Sequence, residues 1–238
     1  FTNLTTIAGG PLTYSWNFGD GSAVSTQTSP THTYSAAGTY NVILTAISGQ
    51  GCDSILSQSI TITFPNADAG ANQAICPGGS ATIGGTPTTA TGNTVVWSPA
   101  AGLNSTTALN PIASPVNTTT YTVTVTDGNG CTNTAQVDVV VIPFPNANAG
   151  GPKSVCFGSG VQIGGVPTGP IGATYAWSSN PAGFTSNIAN PTVSPTVNTT
   201  YTVTVTIGSG TTCSDTDNAL VTVNSLPTAD AGPNRNIC

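Results

Sequence analysis

The sequence predicts an all-β protein built of tandem β-sandwich repeats, and three observations carry that expectation. Trp16, Trp97 and Trp177 stand 81 and 80 residues apart, and each is followed 24 residues later by a tyrosine, Tyr40, Tyr121 or Tyr201. A fixed offset between two large aromatics, returning at a period near 80, marks one structural unit copied along the chain. Short runs of valine, isoleucine, threonine and tyrosine alternate with polar residues and end at glycine, proline or asparagine, as half-buried strands do. A common opening recurs as Phe64-Pro-Asn-Ala-Asp-Ala-Gly70, Phe144-Pro-Asn-Ala-Asn-Ala-Gly150 and Leu226-Pro-Thr-Ala-Asp-Ala-Gly232.

These openings divide the 238 residues into 1–63, whose N-terminal strand is truncated, 64–143, 144–225, and the start of a further repeat at 226–238. The chain therefore reads as an internal piece of a longer array. A proline follows each strand end at the junctions, so the connections should be short and stiff, and the repeats should form a rod.

Within a repeat the strand signal is strongest at Tyr121-Thr-Val-Thr-Val-Thr126 and Tyr201-Thr-Val-Thr-Val-Thr206. A period of two turns Tyr121, Val123 and Val125 toward a core and the threonines toward solvent. Tyr40 to Thr45 repeats this less strictly, Ala135 to Ile142 and Ala219 to Val223 are the strands that follow, and Thr94 to Ser98 and Thr174 to Ser178 carry the mid-repeat tryptophan. About seven strands per repeat make a sandwich. Trp16, Trp97, Trp177, Tyr40, Tyr121 and Tyr201 are then core aromatics, because residue type and spacing are kept together in every copy.

Six cysteines occupy two phases of the repeat. Cys76, Cys156 and Cys238 follow an opening, and Cys52, Cys131 and Cys213 follow the tyrosine strand. The phases suggest Cys76 with Cys131 and Cys156 with Cys213, each closing a loop of about 55 residues worth about 4 kcal/mol on the chain-entropy model. Cys52 and Cys238 are left to bond outside the fragment or between chains. Such staples belong to oxidising surroundings.

Eight aspartates, one lysine, one arginine and one histidine give a net charge of -6. No basic patch is present for nucleic acid or anionic lipid, and no apolar run is long enough to insert in a membrane as a helix. Zinc needs clustered ligands that the dispersed cysteines do not offer. Asp215 and Asp217 are the candidate calcium ligands, although their loop lacks the further acidic residues of a full oxygen cage. Asp20-Gly21 reads as a tight turn and His32 as a packing residue. No Ser-His-Asp set or phosphate-binding loop is present, so the expectation is a non-enzyme without a cofactor.

The first repeat reads Trp16-Asn-Phe-Gly-Asp-Gly-Ser22, His32-Thr-Tyr34 and Gly38-Thr-Tyr40-Asn-Val-Ile-Leu-Thr45, which closely resembles the PKD domain, an immunoglobulin-like sandwich of extracellular proteins. The later repeats keep the tryptophan and the tyrosine strand without Phe-Gly-Asp-Gly, and look like a sister group of PKD-like or immunoglobulin-like repeats. A buried tryptophan with a tyrosine opening the penultimate strand is the arrangement of such sandwiches and their tyrosine corner. Arrays rich in Thr, Asn and Gly are similar to the stalks of bacterial surface adhesins, including gliding-motility adhesins exported by the type IX route. That resemblance implies an extracellular or surface-attached stalk or filament whose partners are neighbouring modules, copies of itself or surface polysaccharide. Three such modules would span on the order of 100 Å. Asp53-Ser54-Ile55 looks like the O-glycosylation acceptor of those bacteria, with Ser54 as the modified residue. The alternative expectation is a carbohydrate-binding or spacer module of a secreted polysaccharide-degrading enzyme, since PKD-like domains often accompany hydrolases.

Overall fold

The computed structural model describes residues 1–7, 10–85, 92–230 and 232, and all of its regular structure is β. Its residues form two compact units, Phe1–Asp68 with Thr86–Trp97 and Val123–Ala135, and Ala69–Gly85 with Ser98–Thr122 and Gln136–Cys238. The repeat boundaries read from the sequence are a different division, set by period rather than by contact.

In the first unit, β1 (Leu12–Asn17), β2 (Gly38–Ser48) and β3 (Asp53–Ile62) form one antiparallel sheet in that order. Trp16 pairs with Leu44, which pairs in turn with Leu56. Trp16, Phe18, Tyr34, Val42 and Leu44 form the buried cluster, with Tyr40 half-buried at its margin. The expectation of about seven strands is not met among the described residues here. Between Gly19 and Gly38 short polar side chains take the backbone hydrogen bonds that a ladder would need: Asn17 Oδ1 accepts from Gly19 N at 2.9 Å, and Asp20 Oδ1 from Ser22 N at 3.1 Å.

The later strands repeat one plan twice. First come β4 (Gln73–Ile75), β5 (Ala81–Thr82), β6 (Thr94–Ser98), β7 (Ile112–Ala113), β8 (Thr119–Thr126) and β9 (Thr132–Val141). They give the sheet β4-β9-β8-β6 and the smaller sheet β5-β7. Next come β10 (Lys153–Cys156), β11 (Val161–Gln162), β12 (Thr174–Asn180), β13 (Thr185–Ser186), β14 (Thr192–Val193), β15 (Thr199–Ile207) and β16 (Cys213–Asn224). Their sheets are β10-β16-β15-β12-β13 and β11-β14. In both sets the first strand lies parallel to the last, with Ile75 level with Val141 and Val155 level with Val223. The last strand pairs with the tyrosine strand, which pairs with the tryptophan strand. This is the strand order of an immunoglobulin-like sandwich.

The alternation read from the sequence is the alternation of burial. Tyr121, Val123 and Val125 of β8 and Val203 and Val205 of β15 are fully buried. Thr122 and Thr124 between them are half-buried, and side chains reach across to the last strand: Thr120 Oγ1 donates to Asp138 Oδ1 at 2.6 Å, and Gln136 Nε2 donates to Thr122 Oγ1 at 3.1 Å. The last strands run longer than expected, at 10 and 12 residues, because each begins where its turn ends.

Candidate functional site

The one disulfide among the described residues does not lie within a repeat. It joins Cys76 to Cys213, 137 positions apart, with a Cα–Cα separation of 5.6 Å, and leaves Cys52, Cys131 and Cys156 as thiols. This corrects the expected pairs Cys76–Cys131 and Cys156–Cys213; Cys238 lies outside the described residues. The reason is the parallel first strand. Cys156 is level with Asn224 at the end of β16, whereas Cys213 begins that strand. Eleven residues of extended chain separate the two by about 35 Å, against the 7 Å that a disulfide spans. In the second repeat β9 likewise interposes its length between Cys131 and the level of Ile75. An opening cysteine and the cysteine entering the last strand of the same repeat therefore sit at opposite ends of one strand. The opening cysteine instead reaches the strand-entry cysteine of the next repeat.

Asp215 and Asp217, the candidate calcium ligands, are placed on β16 against the opening of their own repeat. Asp215 Oδ2 accepts from Ala147 N at 2.9 Å and Asp217 Oδ2 from Ala149 N at 2.8 Å. Carboxylates that accept backbone N–H groups in this way hold an extended segment in place of a paired strand. On the other side of that segment, Gly164 N donates to Ala149 O and Gly165 N to Asn148 O, both at 2.9 Å. Gly150 has φ +87°, and a Cβ there would lie 2.5 Å from Gly164 O, so the close approach requires glycine. The second repeat has the same clamp, with Gly84 N donating to Ala69 O and Asn133 Nδ2 donating to Pro65 O. The recurrent Ala-x-Ala-Gly opening is thus a clasp between the connection and the sandwich it enters. Sequence reading missed this clasp, although Asp215 and Asn133 share a repeat phase that could have pointed to it.

The core tyrosines act through their hydroxyls as well as their rings. Tyr121 Oη donates to Ala101 O at 2.7 Å, tying β8 to the connection between β6 and β7, and Tyr40 Oη donates to Ala36 O at 2.9 Å, tying β2 to the loop before it. Burial pushes the Tyr121 and Tyr201 phenols above their ordinary range. Tyr121→Phe is expected to remove one buried hydrogen bond and destabilise the fold by about 1 kcal/mol, measured by urea denaturation. An unchanged midpoint would show that the hydroxyl is not a tie.

In the first unit, the Phe-Gly-Asp-Gly stretch and His32 form one cluster. The His32 ring stacks on Phe18 with centroids 3.9 Å apart, and His32 Nε2 lies 2.7 Å from Asp20 Oδ2. Gly19, at φ +77°, is demanded by Asn41 O, which a Cβ would meet at 2.6 Å. Hydrogen bonds from the Ser22 hydroxyl and from His32 hold the Asp20 carboxyl at about 2, below its ordinary 3.8. Because the folded value is depressed, its contribution to stability is fully present above the ordinary range and is lost as pH falls from there through about 2. A carboxyl carbon NMR titration should find the Asp20 midpoint near 2, moving upward in Ser22→Ala; a midpoint near 3.8 in the parent chain would contradict the cluster.

Beside this cluster lies an open groove of about 560 Å³, lined in part by Phe1, Leu4, Trp16, Leu44, Leu56 and Ile60. Ser54, the expected glycan acceptor, is exposed on β3 at its edge. Among the described residues no group of three or more His, Cys, Asp or Glu side chains is placed to hold a metal ion. Among the described residues no helix is long and apolar enough to cross a membrane.

Residues 2–64 match the PKD domain family. Over longer spans the chain is similar to several solved tandem immunoglobulin structures. A three-domain I-band fragment of titin aligns at 10% identity and TM-score 0.39, covering 90% of this chain and 88% of that one. The insect immune protein hemolin aligns at 14% identity and TM-score 0.39, covering 90% and 68%. The N-terminal two-domain module of the Drosophila receptor tyrosine phosphatase DLAR aligns at 16% identity and TM-score 0.26, covering 68% and 97%. No curated protein sequence matches the chain. The strand order and the PKD match together define a tandem array of immunoglobulin-like β-sandwich repeats, the first of them PKD-like.

Proposed function

We propose that this chain is a structural and adhesive spacer on a bacterial surface, a stalk or filament that works by holding something away from the cell. The observation that carries the reading is the Cys76–Cys213 bond, which fastens the second repeat to the third. A covalent link between successive repeats, added to the backbone clasp at Asp215 and Asp217, resists bending and separation at the place where a tandem array is weakest. It also requires an oxidising exterior. The near absence of lysine and arginine leaves trypsin-like proteases almost nothing to cut, which suits persistence outside a cell.

Immunogold labelling of intact source cells with antibodies to this chain tests the proposal. Label at a distance from the envelope, on thin projections, is the expected result. Label confined to the cell interior, or to soluble complexes with a hydrolase, would overturn it and favour the accessory-module reading.

A further inference from the structure

Each repeat turns from its tyrosine strand into its last strand through a Gly-x-Gly tip: Gly49-Gln50-Gly51, Gly128-Asn129-Gly130 and Gly208-Ser209-Gly210. All three tips are exposed. The first two are the same turn in atomic detail. Ser48 N donates to Cys52 O at 2.8 Å and Gly51 N to Ser48 O at 2.9 Å, as Asp127 N donates to Cys131 O at 2.9 Å and Gly130 N to Asp127 O at 3.1 Å. In both, a side-chain oxygen of the residue that opens the turn accepts from the cysteine N–H: Ser48 Oγ from Cys52 N at 3.1 Å, and Asp127 Oδ1 from Cys131 N at 2.9 Å. Gly51 and Gly130 close the two turns at φ +82° and +84°, the left-handed value that a three-residue hairpin loop takes at its last position. The turns differ in the residue at the tip, and Asn129-Gly130 is the one Asn-Gly pair in the sequence.

That difference is chemical. The Gly130 main-chain nitrogen can close a five-membered ring on the side-chain carbonyl carbon, Cγ, of Asn129. The same attack on Gln50 needs a less favourable six-membered ring, and Ser209 has no side-chain carbonyl to attack. Glycine leaves the attacking nitrogen uncrowded, and a Cβ at Gly130 would have nothing within 4 Å of it. Asp127 Oδ1 accepts from Asn129 N and from Cys131 N, both at 2.9 Å, while the Gly130 N–H between them goes to the Asp127 main-chain oxygen at 3.1 Å. The longest hydrogen bond of the turn is therefore the one that holds the reacting nitrogen.

We infer that Asn129 is a site of spontaneous deamidation, a modification on which the spacer reading does not depend. The Gly130 nitrogen loses its proton to solvent and attacks Asn129 Cγ. The side-chain amide nitrogen takes up a proton and leaves as ammonia, which closes a succinimide. Water then opens the ring at either carbonyl to give aspartate or isoaspartate. One water is consumed and one ammonia released, and nothing is oxidised or reduced. Either product adds a carboxylate that is ionised at neutral pH. In isoaspartate the main chain runs through the side-chain carbon and is one carbon longer between positions 129 and 130, so it no longer has the length of the three-residue loop. The hairpin that seats Cys131 is the place where this chain changes first with time.

The test holds the purified, folded chain in mildly alkaline buffer and follows it by native isoelectric focusing. Samples are then reduced, alkylated, digested with chymotrypsin and mapped by mass spectrometry against synthetic aspartate and isoaspartate peptides. The expected result is a species more acidic than the parent by one charge, in an amount that tracks conversion at Asn129, with both products present and Gln50 unchanged. Its rate should rise with pH, because the attacking nitrogen must lose a proton. Asn129→Gln gives the second repeat the tip that the first already carries, so the variant should fold as the parent does, checked by circular dichroism, and should not form this species. Three results would overturn the inference: no acidic species, an acidic species that persists in Asn129→Gln, or conversion of another asparagine, such as Asn224 before Ser225, while Asn129 stays intact.

Discussion

Opening the Cys76–Cys213 bond is expected to be the most damaging single chemical change to this chain. The bond closes a separation of 137 residues, and the chain-entropy relation assigns a loop of that size about 5 kcal/mol at 25 °C. For a protein of this size that corresponds to a fall in melting temperature of about 10 °C or more. Calorimetry of the parent chain with and without reductant, and of Cys76→Ser, measures it. Cys76 is the residue to replace, since Cys213 is 1% exposed and serine there would bury a hydroxyl as well as break the bond. Equal melting temperatures would mean that the link constrains nothing that the separate repeats do not already hold.

The second large effect is expected at Trp177. Its ring is 2% exposed, packed with Ile163, Tyr201 and Val203, and its Nε1 donates to Ile188 O at 3.0 Å. Trp177→Ala should cost about 3–5 kcal/mol through the cavity it leaves, with the stranded Ile188 carbonyl adding to the loss. Guanidinium denaturation followed by circular dichroism reads this directly. A loss below about 1 kcal/mol would remove Trp177 from the core on which the repeat is built.

Most of the sandwich was legible in the sequence because it rests on patterns with a fixed physical period. Tyr121-Thr-Val-Thr-Val-Thr126 can bury one face only as a strand, and the burial of Tyr121, Val123 and Val125 follows that alternation. The Trp–Tyr offset named the core aromatics for the same reason, with Tyr40 the least enclosed of them. The disulfide pairing was not legible. Phase along a repeat is one-dimensional, and it fits a bond within a repeat and a bond to the next one equally well. Only the parallel pairing of β10 with β16, which carries Cys156 to the far end from Cys213, decides between them. The clasp was hidden for a related reason. Asp215 and Asp217 look like a cation site when read alone, and become backbone acceptors only when Ala147 and Ala149 are seen beside them. Asp20-Gly21 and His32 were read separately as a turn and a packing residue, whereas Phe18 and the 2.7 Å contact make them one cluster.

The central claim is that covalent joints between repeats make this chain a mechanical spacer. Pulling single molecules by their two ends, before and after reductant, tests it most directly. With Cys76–Cys213 intact, the residues between them stay out of the force path, so complete unfolding should release a contour shorter by about 450–490 Å, regained on adding reductant. An identical contour length with and without reductant would contradict the joint, and with it the account of how the array bears load.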